Sequence, residues 1–322
     1  MIIYFFLISQ FCPERQYSKV DSLLIQGSYF IYGENYQEAR NRFNEAITLE
    51  PQNPAPYFMI ADLLALYMSD FSTDTLVKEL FSYCDTTIKL SNKEIKMADT
   101  SGLPHLWLGG TYGLCAFYKA VNKNIFSAAQ DAMKGVDELT KAIKMDSCLF
   151  DAYVGVSGYN YFKYRVASLA PWGGKSSWEK DVKLACIKSK YFGYASVAAY
   201  ASFLIEEKRY KESIEIITPL IDSFPRSKVF RWTRVKAYCK AGELKEAKAE
   251  YEKLLELTLV SQPNTVYNIG YCRVELAKIC FKLGEKEECK TQCEEVLKLP
   301  YAKGMKKLKS EANKLLTLAK HR

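Results

Sequence analysis

Residues 20–53 read VDSLLIQGSYFIYGENYQEARNRFNEAITLEPQN, and the rest of the chain repeats the pattern of this stretch. The pattern is carried by Leu23, Gly27, Phe30, Ala39, Phe43, Ala46 and Pro51. These spacings predict two short helices joined by a turn. Gly27 and Ala39 leave room for the helices to cross closely, while Phe30 and Phe43 fill the space beside the crossing. Such a hairpin cannot bury its apolar side alone, so we expect further hairpins to stack on it.

Similar units recur along the chain. The second unit matches the first only if an insertion is allowed between Met68 and Asp74, and loops tolerate insertions of this kind. A longer pair of helices is predicted at Leu103–Val121 and Ile125–Met145, and regular units return from Tyr191 onward. The final helix, Lys303–Lys320, alternates apolar residues with lysines. We expect its polar side to face water and to cap the array.

The spacing of these units resembles the tetratricopeptide repeat (TPR) family, whose units are about 34 residues long. The resemblance implies an all-α fold, a TPR-type helical-hairpin solenoid (superhelix) with an amphipathic C-terminal capping helix. It also implies a non-enzymatic scaffold that binds other proteins. The predicted segments are 1–12 (apolar N-terminal segment or signal-peptide remnant), 13–146 (TPR-like hairpins), 147–190 (irregular helical insert with a Pro/Gly loop), 191–300 (TPR hairpins) and 301–322 (basic capping helix).

The middle of the chain departs from plain repeats. It contains GGTYG at 109–113, DAY at 151–153, GYNY at 158–161 and LAPW at 169–172. This combination resembles bacterial exported relatives of the tetratricopeptide repeat protein 39 group, and the resemblance supplies no catalytic residue. Gly109, Gly110 and Gly113 would each weaken an isolated helix by about 1 kcal/mol. We therefore expect these glycines to permit the close approach of another helix.

The formal net charge of +8 suggests a nucleic-acid partner at first sight. Residues 301–322, however, hold six lysines and one arginine against Glu311, so the rest of the chain is close to balanced. A basic end of this kind is typical of a solvated helix. The charge distribution therefore does not favour a nucleic-acid partner, and the protein or peptide partner is what the TPR resemblance implies.

The chain begins with an apolar run, Ile2–Ser9, that is too short to span a bilayer as a helix. The run suits the apolar region of a secretory signal, although no basic residue precedes it and Phe11 is unfavourable before a cleavage point or a lipid-modified Cys12. We expect export to the periplasm or cell envelope, with membrane association through the N-terminus as one option. The alternative is a cytoplasmic protein whose first helix packs on the first repeat.

Ten cysteines would allow five disulfides in an exported protein. Cys280, Cys289 and Cys293, however, stand at the packing positions of the last clear hairpin, where free cysteine behaves as a small apolar residue. We expect most of the ten to be reduced and buried, and the pairing of Cys280 with Cys289 or Cys293 is the one to test. No C-x-x-C pair occurs and His105 lies far from His321 in sequence, so no metal site is predicted.

The string Gly174-Lys175-Ser176 matches only the end of a phosphate-binding loop. Such a loop needs a glycine five residues earlier and a strand leading in, but position 169 is Leu169. The alternative is a helix start capped by Ser176 or Ser177. Neither histidine lies near a nucleophile motif, and most carboxylates alternate with lysines on polar helix faces. We therefore expect no catalytic residue, no cofactor and no enzymatic activity.

A protein-binding groove is predicted on the first helices of two late hairpins, which line the concave side of such a stack. Its residues are Trp232, Lys236, Lys240, Lys278 and Lys282. An aromatic anchor with cations beside it suits an apolar residue of a peptide and that residue's acidic neighbours. The alternative is that Trp232 packs between repeats and the lysines are only solvated.

Two other functions stay open from the sequence. One is an accessory subunit or enzyme-like domain that acts on an envelope or lipid substrate, with its chemistry in residues 147–190. The other is a membrane-surface protein held by its apolar start and its basic end helix.

Overall fold

A computed structural model describes residues 17–97, 100–167 and 177–321. Within these ranges the regular structure consists of fifteen α-helices and no strand. The helices are α1 Lys19–Tyr32, α2 Tyr36–Leu49, α3 Pro54–Asp70, α4 Val77–Lys96, α5 Leu103–Val121, α6 Ile125–Met145, α7 Asp151–Ala167, α8 Trp178–Lys188, α9 Gly193–Glu206, α10 Tyr210–Ser223, α11 Lys228–Ala241, α12 Leu244–Ser261, α13 Val266–Leu283, α14 Lys286–Lys298 and α15 Met305–His321. The prediction of an all-α fold built of helical hairpins is confirmed.

The first hairpin pairs α1 with α2 as the sequence predicts. A Cβ atom added to Gly27 would lie 2.1 Å from the ring of Phe43, which is fully buried. Only a glycine therefore fits at this crossing. The side chain of Asn35 accepts a hydrogen bond from the backbone N–H of Glu38 and caps the start of α2.

The α5–α6 hairpin has the bounds that its sequence predicts, and its glycines explain the close packing. A Cβ atom on Gly109 would lie 2.8 Å from the carbonyl oxygen of Gly135, and one on Gly110 would lie 3.0 Å from the Phe58 ring of α3. The expected close approach is confirmed at these two positions. Gly113 differs, because an added Cβ atom would meet nothing within 4 Å.

The chain divides into two compact units. Unit 1 comprises the described residues of Met1–Ile31, Asn35–Ala65 and Lys78–Ser196. Unit 2 comprises those of Tyr32–Glu34, Leu66–Val77 and Val197–Arg322.

Unit 1 is held together in its middle by Asp151, at the start of α7. The Asp151 carboxylate accepts hydrogen bonds from the backbone N–H groups of Lys190, Tyr191 and Phe192, at 2.8–3.0 Å. Burial nevertheless raises the pKa of Asp151 above its ordinary value. The region predicted to be irregular, 147–190, thus contains α7 and α8, while its LAPW motif and the Gly174-Lys175-Ser176 string lie outside the described residues.

Unit 2 includes the insertion that the sequence places between Met68 and Asp74. Asn268 of α13 donates a hydrogen bond to the backbone carbonyl of Asp70 at 2.7 Å, and the Ser72 hydroxyl donates to the Asn268 side-chain oxygen at 2.6 Å. The insertion therefore packs with helices that follow it by almost two hundred residues in sequence.

The C-terminal end of unit 2 has a core that contains cysteines and the apolar side of α15. Cys280, Cys289 and Cys293 are fully buried there, together with Met305 and Ala312 of α15. The predictions of packing cysteines and of an amphipathic last helix are confirmed.

Within the described ranges eight cysteines are free thiols, and six of these are buried. The three packing cysteines of α13 and α14 are among the free ones, so the pairing selected for testing does not form. Cys148 is disulfide-bonded, which its sequence context does not predict. Cys148 lies in the turn between α6 and α7, where its local sequence shows no packing pattern.

Among the described residues, no helix is both long enough and apolar enough to cross a bilayer. The apolar run Ile2–Ser9 and Cys12 lie outside those ranges, and the expectations about export stay predictions.

Candidate binding surfaces

Trp232, the predicted aromatic anchor, lies half-buried on α11 in unit 2. Its ring makes edge contacts with Tyr251 of α12 at 6.1 Å between centroids and with Tyr271 of α13 at 5.8 Å. Trp232 therefore packs between two successive hairpins, and only part of its surface is open to a partner.

Two of the four predicted lysines form an ion pair with another helix. Lys236 of α11 lies 2.9 Å from Glu206 of α9. Lys278 of α13 lies 2.7 Å from Glu311 of α15 and 2.7 Å from Glu275 on its own helix. The charge of Lys278 is thus shared by two carboxylates within the chain, and a ligand would have to compete with both.

Lys240 and Lys282 are exposed and form no ion pair with any residue in the described ranges. Burial raises the pKa of the Cys239 thiol, and the charge of Lys282 partly offsets this rise. Lys282 of α13 therefore lies close to α11, on the side where Cys239 precedes Lys240. Lys240 and Lys282 are thus the two predicted lysines that no residue of the described ranges engages.

The acidic residues that pair with the lysines are not among the residues predicted from the sequence. Glu275 could have been found, because it precedes Lys278 by three residues on one helix, a spacing at which opposite charges meet. Glu206 and Glu311 carry no such local signal, since each pairs with a different helix.

A buried network of charged side chains joins α11 to α12. Glu250 of α12 accepts hydrogen bonds from Arg231 at 2.8 Å and from the Nε of Arg234 at 3.0 Å. These bonds fix α11 on α12 and leave the exposed lysines on the opposite side of α11.

Unit 1 contains a cleft of about 440 Å³ whose lining includes three carboxylates and two aromatic residues: Asp21, Glu50, Glu94, Trp107 and Tyr191. Lys190 lies 2.8 Å from the Asp21 carboxylate, and the Tyr191 hydroxyl donates a hydrogen bond to it. Burial would raise the pKa of Asp21, but these two donors hold it below its ordinary value. The Asp21 charge is therefore already matched within the chain.

A shallow cleft of about 530 Å³ runs along the polar side of α15. It is lined by Tyr301, Lys306, Lys309, Ser310, Asn313, Lys314 and Thr317. Lys309 donates hydrogen bonds to the carbonyl oxygens of Leu297 and Leu299 at 3.0 and 2.6 Å and so caps the end of α14. Lys306 and Lys314 are exposed.

His105 is the histidine whose side chain the structure describes, and it contacts a carboxylate. Its Nδ1 atom lies 2.6 Å from Glu138, which also pairs with Lys141 at 2.5 Å. Within the described ranges, no three His, Cys, Asp or Glu side chains are grouped so as to hold a metal ion.

No protein-family model and no curated protein matches this sequence. Among solved structures, the chain is similar to a tetratricopeptide repeat protein from Parabacteroides merdae, with 16% identity over 92% of this chain and 100% of that chain, at a TM-score of 0.41. It is also similar to the C-terminal part of a TPR repeat-containing protein from Cytophaga hutchinsonii, with 14% identity over 88% and 98% of the two chains, at a TM-score of 0.48. A thermophilic TPR protein from Thermus thermophilus is 11% identical over 68% of this chain and 99% of that chain, at a TM-score of 0.43.

Proposed function

We propose that this protein is a non-enzymatic helical-repeat scaffold that binds another protein in the bacterial cell envelope. The observation that carries the proposal is the pair of exposed lysines, Lys240 and Lys282, on two successive first helices, with Trp232 about two turns before Lys240 on α11. Two ammonium groups that pair with no residue of the described ranges, on helices that also carry a partly open aromatic ring, suit an acidic segment that also carries an apolar residue. The apolar run Ile2–Ser9 and the resemblance to exported repeat proteins support the envelope location.

The test is a charge reversal of the two lysines. The protein would be cross-linked to its neighbours in the native cell, and captured proteins would be identified by mass spectrometry for the wild type and for Lys240→Glu with Lys282→Glu. Surface charge changes leave the fold nearly intact, so we expect an unchanged melting temperature together with at least tenfold weaker capture of the partner.

Lys211→Glu with Lys245→Glu is the matched control, because both lysines are exposed on second helices of unit 2. This control should capture the partner as the wild type does. Equal capture by the Lys240/Lys282 variant would remove the groove as the binding surface. Fractionation of cells that carry the natural gene tests the location, and recovery from the cytosol alone would contradict it.

A second candidate, association with an anionic membrane surface, is favoured by the exposed lysines of α15. Lys306, Lys307 and Lys314 each add on the order of 1 kcal/mol of attraction near anionic lipid. For this candidate we expect the protein to sediment with anionic vesicles. High salt should abolish this sedimentation, and so should the double substitution Lys306→Glu with Lys314→Glu.

A further inference from the structure

Five helical hairpins of the described ranges have links of two or three residues and turn in the same way. In each of them a backbone N–H donates a hydrogen bond to the carbonyl five residues earlier, and the residue before that N–H has a positive φ angle. The positive-φ residues are Glu34, Lys123, Lys208, Gly242 and Gly284. The five hairpins can therefore be compared position by position, counted from these residues.

The α5–α6 hairpin differs from the other four in its exposed side chains. Phe117 and Val121 precede Lys123 by six and two positions, and Ile125 and Phe126 follow it by two and three. These four apolar residues are 62%, 64%, 64% and 78% exposed. At the first and last of these positions the other hairpins carry polar residues, namely Ser28 and Gln37, Ser202 and Lys211, Lys236 and Lys245, and Lys278 and Glu287. The hairpin architecture therefore does not account for the exposed phenylalanines.

The turn places these apolar residues at one end of the hairpin. Phe117 and Val121 lie one turn apart on the same side of α5. The backbone N–H of Asn124 donates a hydrogen bond to the carbonyl of Lys119 at 2.9 Å, so the start of α6 folds back against the last turn of α5. The two apolar residues that open α6 follow Asn124 directly. Together the four residues form an apolar tip, and an exposed apolar surface of this kind is typical of an interaction site.

The charge around the apolar tip is positive. No Asp or Glu occurs from Thr100 to Gln130, and Asp131, the next carboxylate in sequence, forms an ion pair with Lys119. Lys123 is exposed and pairs with no residue that the structure describes. The side chain of Asn124 does not cap α6, so the positive end of the helix dipole lies at the tip. This charge matches an anionic lipid surface and would repel the same tip of a second copy.

The backbone at the end of α5 also suits a medium that offers few hydrogen bonds. The carbonyl groups of Tyr118, Lys119 and Ala120 accept hydrogen bonds from backbone N–H groups of the turn at 2.9–3.2 Å. The side-chain amide of Asn122 donates a second bond to the carbonyl of Tyr118 at 2.9 Å. These carbonyl groups therefore keep their partners when water is removed from the tip.

We propose that the apolar tip, formed by Phe117, Val121, Ile125 and Phe126, inserts into the interface of an anionic membrane. Lys123 then lies at the level of the lipid headgroups, where its charge finds the anionic partner that the described chain does not provide. The inference goes beyond the scaffold function, because it attaches unit 1 to a membrane surface whichever protein is bound.

The test measures surface pressure after the full chain is injected beneath a monolayer of phosphatidylcholine and phosphatidylglycerol, set to the lateral pressure of a bilayer. Apolar side chains that enter the monolayer raise the pressure, whereas lysines that only adsorb to headgroups do not. Phe117→Ser with Phe126→Gln installs the residues of the first hairpin, Ser28 and Gln37. We expect this tip variant to keep its melting temperature and to lower the pressure rise at least threefold.

The matched control is Ile187→Gln with Val260→Gln, which removes two apolar residues that are 59% and 71% exposed on α8 and α12. This control should raise the pressure as the wild type does. No pressure rise with the wild type, or an equal rise with the tip variant, overturns the inference. A dimer that forms in sedimentation equilibrium and is lost in the tip variant would assign the tip to a second copy and would also overturn it. The scaffold function is measured separately through Lys240 and Lys282.

Discussion

Lys228 and Glu34 form an ion pair that is almost closed to solvent, with 2% and 9% of their side chains exposed. Glu34 also accepts a hydrogen bond from the backbone N–H of Lys228, at the start of α11. A second carboxylate, Asp70, lies 3.6 Å from the Lys228 ammonium group and accepts a hydrogen bond from Gln262 at 2.7 Å. Burial, followed by repulsion from Asp70, raises the pKa of Glu34 even though Lys228 opposes the shift. This lysine is therefore the counter-charge of two carboxylates within unit 2.

Lys228→Met should destabilise unit 2 by about 3–5 kcal/mol, because it leaves Glu34 and Asp70 buried without their common cation. The measurement is the free energy of unfolding in urea, followed by circular dichroism. Adding Glu34→Gln should recover part of the loss, since it removes one of the two carboxylates. Lys211→Met, at an exposed position, is the control and should change the free energy by less than about 0.5 kcal/mol.

Gly27→Ala and Gly113→Ala should change stability in opposite directions, although both glycines lie within helices. The new methyl group at position 27 would collide with Phe43, so we expect a loss of about 1–3 kcal/mol. At position 113 it meets nothing within 4 Å, so we expect a gain of about 0.5–1 kcal/mol from the better helix propensity of alanine. Thermal melting of the two variants and of the wild type measures both changes in stability. A lower stability of Gly113→Ala would show that the space around position 113 is not open.

Asp62→Asn should stabilise the protein at pH 7.5 but not at pH 4. The folded-state pKa of about 6 lies above the ordinary value of 3.8, so the contribution of Asp62 to stability is present below pH 3.8 and is lost as the pH rises through 6. Asparagine does not titrate, and its advantage should therefore grow to on the order of 2 kcal/mol at pH 7.5. Melting temperatures measured across this range check the sign, and Asp137→Asn should show no such trend.

Thiol titration in denaturant without reductant should release at least eight thiols per chain, as the free cysteines require. Native protein at pH 8 should react slowly. Burial raises the pKa of Cys186, Cys272 and Cys293 to about 12, so very little thiolate is present. A count well below eight in denaturant would contradict the free state of these residues.

Residues close in sequence could be placed without the structure. The bounds of α5 and α6, the need for glycine at position 27 and the burial of Cys289 and Cys293 all follow from spacings within one hairpin. The pairing of Lys278 with Glu275 is local in the same way.

The candidate binding surfaces could be predicted only in part. The sequence places Lys240 and Lys282 on two first helices, but the engagement of Lys278 by Glu311 and the packing of Trp232 against Tyr271 depend on how hairpins stack. The raised pKa of Asp62 carries no sequence signal, since it comes from burial in the folded chain.

The sequence by itself determined that the chain folds into helical hairpins, because helix periodicity and the small residues at each crossing act over about 34 residues. Only the tertiary structure decided which polar groups are paired. Lys228 meets Glu34 across 194 positions, and Gln262 meets Asp70 across 192. Contacts over such separations depend on the stacking of whole hairpins, and neither charge nor local spacing encodes them.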